Sequence, residues 1–165
     1  MKKRVLLLIV LLLTFVGCNI KTIEVKPVSF GYSATAKISS DVFSGEAILK
    51  VYKNESIQVE VLEPQILAGM IINSNVGGMS VKYKEIEVEN FLVDSNSALS
   101  VLSETIMSEI KNTNKATKFG GEYIKKGMTS KGEYICYYRA DGFPIKIVCD
   151  SIDLKVELSD LSYIN

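Results

Sequence analysis

The chain has 165 residues, 47% of them hydrophobic and 23% charged, and its 19 basic residues balance 19 acidic ones. That length suits one domain with a core of its own, and the lack of a basic run or patch argues against a nucleic-acid partner. There is no histidine, which removes the commonest general base, proton shuttle and metal ligand, so neither an enzyme nor a cofactor is expected.

The first elements are those of export. Met1-Lys2-Lys3-Arg4 is cationic, and Val5 to Val16 is an uncharged stretch with Thr14 its only hydroxyl residue. That stretch is too short for a bilayer core, which takes roughly 20 residues, and a basic start followed by an apolar run of this length is the pattern of a secretory signal. At its end, Phe15-Val16-Gly17-Cys18 resembles the lipobox of bacterial lipoprotein precursors, with Phe15 where Leu is usual. The resemblance implies cleavage before Cys18 and acylation of its thiol and new amino terminus with diacylglycerol and a palmitate-like chain. Two or three acyl chains anchor stably where one is marginal. Residues 1–17 are therefore expected to be a signal peptide, 18–28 a lipid-anchored tether without sustained period, and 29–165 the folded domain. Such a mature chain has 148 residues and 16 basic against 19 acidic groups. Its expected location is the extracytoplasmic face of a bacterial membrane.

From residue 29 the dominant period is two. Phe43, Ala47, Leu49 and Val51 fall on one face of their segment; Ile57, Val59 and Val61 alternate with Ser56, Gln58 and Glu60; Met79, Val81 and Tyr83 alternate with Ser80, Lys82 and Lys84. This predicts antiparallel strands over 43–52, 56–62 and 79–84, one face dry and the other wet. Turn signals lie between them at Ser39-Ser40-Asp41, Lys53-Asn54-Glu55 and Asn73 to Gly78. The apolar phase slips from odd to even between Tyr83 and Ile86, and again between Cys149 and Ile152, as a bulge or tight bend in a curved sheet would produce. Glu85, Glu87 and Glu89 are read as a solvated strand face rather than a catalytic carboxylate pair.

Residues 97–111 place Leu99, Leu102, Ile106 and Ile110 at helical spacing, with Ala98, Val101 and Met107 widening the stripe. This predicts one amphipathic helix, with Asp94, Ser95, Asn96 and Ser97 as cap candidates. Gly120-Gly121 is read as a turn and not a phosphate loop, and Lys125-Lys126 and Lys131 as a solvated loop, with contact to anionic headgroups as the alternative. Strands over 133–139 and 145–158 flank Ala140-Asp141-Gly142-Phe143-Pro144, the strongest hairpin signal in the chain. A two-residue turn puts Cys136 opposite Ile147; a four-residue loop puts it opposite Cys149. In either register the two cysteines share a face, and an exported domain sits where disulfides persist. A Cys136–Cys149 bridge is expected, with two buried free thiols as the alternative.

Three stretches carry a resemblance to a known family. Phe43-Ser44-Gly45-Glu46-Ala47-Ile48-Leu49, Pro64-Gln65-Ile66-Leu67-Ala68-Gly69-Met70 and Asp141-Gly142-Phe143-Pro144-Ile145-Lys146-Ile147 resemble, in that order, segments of the LolA/LolB-like lipoprotein-localisation superfamily, over most of residues 29 to 158. The resemblance implies a mainly β fold: a strongly curved, unclosed antiparallel half-barrel with one amphipathic helix on its concave face. It also implies an apolar hollow for a lipid or acyl ligand. Leu49, Val51, Val59, Val61, Met70, Ile72, Val81 and Tyr83 would line it from the strands, and Leu99, Leu102, Ile106 and Ile110 from the helix. Where those side chains fill the hollow the same face is plain core, and the domain would instead bind an envelope protein through its outer surface. Anchored relatives use an exposed apolar loop, for which Pro64 to Met70 is the counterpart, although that segment equally suits the start of a buried strand.

Overall fold

The computed structural model describes residues 21–25, 31–53, 55–75, 77–89, 98–111 and 115–164. Among the described residues, twelve strands and one long helix follow one another: β1 (Thr22–Glu24), β2 (Tyr32–Ser39), β3 (Ser44–Val51), β4 (Ile57–Glu63), β5 (Ile71–Asn75), β6 (Gly78–Tyr83), β7 (Ile86–Val88), α1 (Ala98–Lys111), β8 (Lys115–Phe119), β9 (Glu122–Thr129), β10 (Gly132–Tyr138), β11 (Pro144–Cys149) and β12 (Leu154–Tyr163). They form one 12-stranded sheet in the order β1-β8-β9-β10-β11-β12-β2-β3-β4-β5-β6-β7. Every pairing is antiparallel and the sheet does not close, so β1 and β7 are its two edges. The mainly β half-barrel with one helix is thus the observed architecture.

Alternation decides which face is dry. Ala34, Ala36 and Ile38 of β2, Ala47, Leu49 and Val51 of β3, and Leu154, Val156 and Leu158 of β12 are buried, while their neighbours in sequence are partly or fully exposed. Ala98, Val101, Leu102 and Ile106 of α1 join the same cluster, so the helix lies against this dry, concave face. Register shifts within β12, at the β3–β4 pairing and at the β10–β11 pairing add local twist, which is how a sheet of this width bends round a helix.

Both phase slips turn out to be hairpin turns. Tyr83 pairs with Ile86 across Lys84-Glu85, with Lys84 at φ 56°. Cys149 pairs with Leu154 across a 3-10 turn, Asp150–Ile152, that ends on Asp153 at φ 48°. In each turn an odd-numbered residue faces an even-numbered one, so the parity changes while the face is kept. The single strand expected over 145–158 is therefore two strands, β11 and β12.

Two further expectations need correction. The stretch given to a tether contains β1, whose Thr22, Ile23 and Glu24 pair with Thr117, Ala116 and Lys115 of β8; the sheet begins within it. The stretch given to a solvated loop is strand β9, and Lys125 is buried at 8% exposure. The helix forms as expected, while its cap candidates Asp94 to Ser97 and the side chain of Ile110 lie outside the described residues.

Candidate functional site on the concave face

Packing along the concave face is uneven. Leu49, Val51, Val61, Val101 and Leu102 expose no surface, and Val59, Ile72 and Ile106 expose 6% or less. A void large enough for water would leave its lining accessible, so this part of the face is solid core. Seven of the twelve residues expected to line a hollow thus fill it: Leu49, Val51, Val59, Val61, Ile72, Leu102 and Ile106.

Towards the β7 edge the face opens. Met70, Val81, Tyr83 and Leu99 are only partly buried. The pairings Ile72 with Val81 and Val81 with Val88 carry the dry face outward to β7, and Tyr83 with Ile86 runs beside them. There Ile86 is 67% and Val88 43% exposed. Below them, residues 65–67 form a short 3-10 turn between β4 and β5, preceded by a cis Glu63–Pro64 bond and carrying Ile66 at 77% exposure. The Tyr83 hydroxyl donates to the Ile66 carbonyl at 2.7 Å, which ties this turn to β6. Val81, Tyr83, Ile86 and Val88 form an apolar strip on the concave side, continuous with the core through Ile72.

At the other side of the helix the dry face carries charge. Glu109 of α1 and Lys125 of β9 form a buried ion pair with Nζ 2.9 Å from Oε2. The Tyr134 hydroxyl donates to Glu109 Oε1 at 2.5 Å and lies 3.0 Å from Ser108 Oγ, and the Tyr138 hydroxyl donates to Oε2. Tyr134 reaches this point because it lies across Gly127, where a Cβ would stand 2.2 Å from the phenol ring. Sequence reasoning missed the group: Glu109 sits among polar helix residues and Lys125 beside Lys126. The available signal was Gly120-Gly121 between two β-prone runs, a two-residue hairpin that fixes the parity of β9.

Cys136 lies within the same group. Its thiol is pushed up to about 12, first by burial and then by the Glu109 charge, with the Tyr138 hydrogen bond and Lys125 acting the other way. Burial is also the main cause that raises Tyr32 and Tyr138, with Cys136 and Glu109 adding to it. A thiol so held stays protonated and is a poor nucleophile. Cys136 pairs with Ile147 in the register of the two-residue turn. Cys136 and Cys149 are both buried free thiols, and Cys149 Sγ lies 3.2 Å from Ser151 Oγ.

The remaining candidates lie apart. Glu85, Glu87 and Glu89 are exposed on and around β7. Cys18 lies outside the described residues. No helix among the described residues is long and apolar enough to cross a membrane.

No family model matches the chain, and no curated protein matches it. Among solved structures it is similar to an uncharacterized conserved protein from Thermus thermophilus, with 12% identity, a TM-score of 0.45, and coverage of 84% of this chain and 81% of that one.

Proposed function

We propose that this chain is an extracytoplasmic lipoprotein of the LolA/LolB-like kind, anchored through acyl chains on Cys18, which takes a lipid or other hydrophobic ligand at the β5–β7 end of its concave face. One observation carries the ligand reading: the dry face continues past the covered core into Val81, Tyr83, Ile86 and Val88, and leaves Ile86 and Val88 open to solvent. Isolated apolar side chains on a surface are ordinary, but a contiguous strip leading into a core marks a contact site. The carrier reading moves the ligand away from the helix stripe, because Leu102 and Ile106 have no free surface to offer.

Native mass spectrometry of residues 18–165 with Cys18→Ser, purified without detergent, tests this. The expected result is a co-purifying apolar molecule, lost on Val88→Asp while the circular dichroism is unchanged. Val88 is suited to this because it is already 43% exposed; a charge at Leu102, which exposes nothing, would unfold the domain instead. An apo mass together with no binding of a fluorescent fatty acid would sink the carrier reading.

A second reading, an envelope protein-interaction module with no small ligand, is favoured by where the exposed apolar residues fall. Val42 lies in the β2–β3 turn, Ile66 in the β4–β5 turn, Ile86 at the start of β7 and Met128 near the end of β9, each at least 67% exposed. Strand directions place all four at the same end of the sheet. A partner that covers this rim would be lost on Ile66→Asp and kept on Val88→Asp.

A further inference from the structure

We propose that the β8–β9 hairpin rests on the leaflet that holds the acyl chains of Cys18, with Phe119 inserted at the boundary between headgroups and acyl chains. The proposal rests on the lipoprotein reading above, and its first support is covalent reach. The Lys21 carbonyl accepts the Lys118 amide at 2.7 Å, immediately beside Phe119. Cys18 precedes Lys21 by three residues, and a chain spans at most about 3.5 Å per residue. The origin of the acyl chains therefore lies within about 10 Å of Lys21, whatever path the intervening residues take. The three pairings of β1 with β8 make this a hold on the sheet itself.

What stands at that point is suited to a bilayer boundary. Phe119 is 72% exposed. Gly120 and Gly121 follow at φ 59° and 97°, and a Cβ on either would meet nothing within 4 Å, so the tip is thin and uncovered. Behind it, on the outer face, a groove of about 520 Å³ is lined by Phe119, Ile124, Ile135 and Tyr137, with Glu122 and Lys126 at its sides. The charges at the tip are those of Lys21, Lys118 and Glu122, a net positive set. Aromatic rings seat well at headgroup depth, and lysine stems reach past them to the phosphates.

Strand direction separates this end from the rim of Val42, Ile66, Ile86 and Met128. The ten residues of β12 run from the rim end to the end that holds Tyr32, opposite Tyr163; at about 3.3 Å per residue they cover roughly 30 Å. A leaflet lying across the Phe119 end of the strands therefore does not reach Ile66.

The chain contains no tryptophan, so Phe119→Trp and Ile66→Trp each supply a single reporter in the full lipidated protein. Each is reconstituted in vesicles of equal parts phosphatidylcholine and phosphatidylglycerol, with and without bromine on the lipid chains. Expected is a blue-shifted emission for Phe119→Trp that brominated lipid quenches, with Ile66→Trp emitting as in water and unquenched. Water-like emission from Phe119→Trp, or quenching at Ile66→Trp in its place, overturns the proposal. A blue shift without quenching by brominated lipid overturns it as well, since the ring is then covered by protein or by the chain's own acyl groups held in the groove. The intact mass is read in the same sample: a chain without acyl groups removes the lipoprotein reading and the proposal with it, whereas an acylated chain with a water-exposed Trp at position 119 removes the proposal alone.

Discussion

At the scale of single residues, the Glu109–Lys125 pair stands out because it interrupts an otherwise apolar face. Two buried charges are costly to desolvate, and the cost is met only when partners are close and remaining lone pairs are used. Glu109 meets that condition: Lys125 and two phenols converge on its two oxygens. Removing one member strands the other. Lys125→Met is expected to destabilise the domain by about 3–5 kcal/mol in urea unfolding. The double variant Glu109→Gln, Lys125→Met should recover most of that loss, because the amide oxygen accepts from one phenol while its NH2 donates to the other, and no charge is left buried. A single-variant cost below about 1 kcal/mol would mean that the pair behaves as an exposed one.

The same group sets an alkaline limit. Cys136 rises from 9.0 to about 12 on folding, and Tyr32 and Tyr138 also rise. A group whose folded value is raised contributes stability in full below its unfolded value and loses it as pH rises towards the folded one. The part of the stability that these groups carry should therefore be constant below pH 9 and fall between 9 and about 12. Cys136→Ala should make that fall shallower in pH-dependent urea titrations, although it also removes buried volume. An equal slope in the variant would mean that the tyrosines alone carry the effect.

At the scale of elements, protection should follow position in the sheet. β1 and β7 are edges with three residues each, while β2, β3 and β12 sit in the middle and carry 8, 8 and 10. Hydrogen exchange followed by mass spectrometry should show both edge strands exchanging through local opening, and the central strands only near global unfolding. Equal protection of β1 and β2 would contradict this. Of the central elements sequence makes β3 legible, with β4 beside it, while β12 is read only as part of a longer strand over 145–158 and β2 carries no strand expectation. Alternation in Ala47, Leu49 and Val51 and in Ile57, Val59 and Val61 survives because one face is dry and the other wet, and the stripe of α1 is read on the same ground. β8 and β9 escape a sequence reading because Lys115, Lys118, Lys125 and Lys126 mask the period: one of these lysines points inward to a buried acid, and sequence pattern gives no sign of a partner 16 residues away in chain order. The phase slips are visible in sequence but not resolvable there, since a bulge and a tight hairpin shift parity alike. For the site, the strand residues expected to line a hollow, with Leu102 and Ile106 of the helix, do share the concave face, but their volume decides whether the hollow exists. Side-chain volume summed over neighbouring strands is not visible until register is known.

At the scale of the whole molecule, the apolar groups separate by end. Phe119 and the β1 entry point lie at one end of the strands, and Val42, Ile66, Ile86 and Met128 at the other. An anchored domain seated on Phe119 would present this rim, together with the open strip of β6 and β7, away from its own leaflet. Carrier and interaction readings then share one orientation, and surface labelling of the lipidated protein should modify Ile66→Cys faster than Phe119→Cys by a water-soluble maleimide. The reverse order would place the rim on the membrane.

If Cys18 carries the proposed acyl chains, a pull on them reaches the fold first through β1. That strand is held by three residue pairs at the sheet's edge, with Ile23 half-buried and Val25 buried. With three pairs it is a short hold in series with such an anchor, and a pull towards the Phe119 end runs along the strand and loads those pairs together. While it holds, the leash is short, spanning at most about 10 Å from Cys18 to Lys21. Once it lets go, residues 21 to 30 join the leash and lengthen it by about 35 Å, and the load passes to β2, which is clamped between β12 and β3. In a chain acylated as proposed, the strand would thus act as a mechanical fuse, with one reach from the membrane while it is paired and a longer one once it is released.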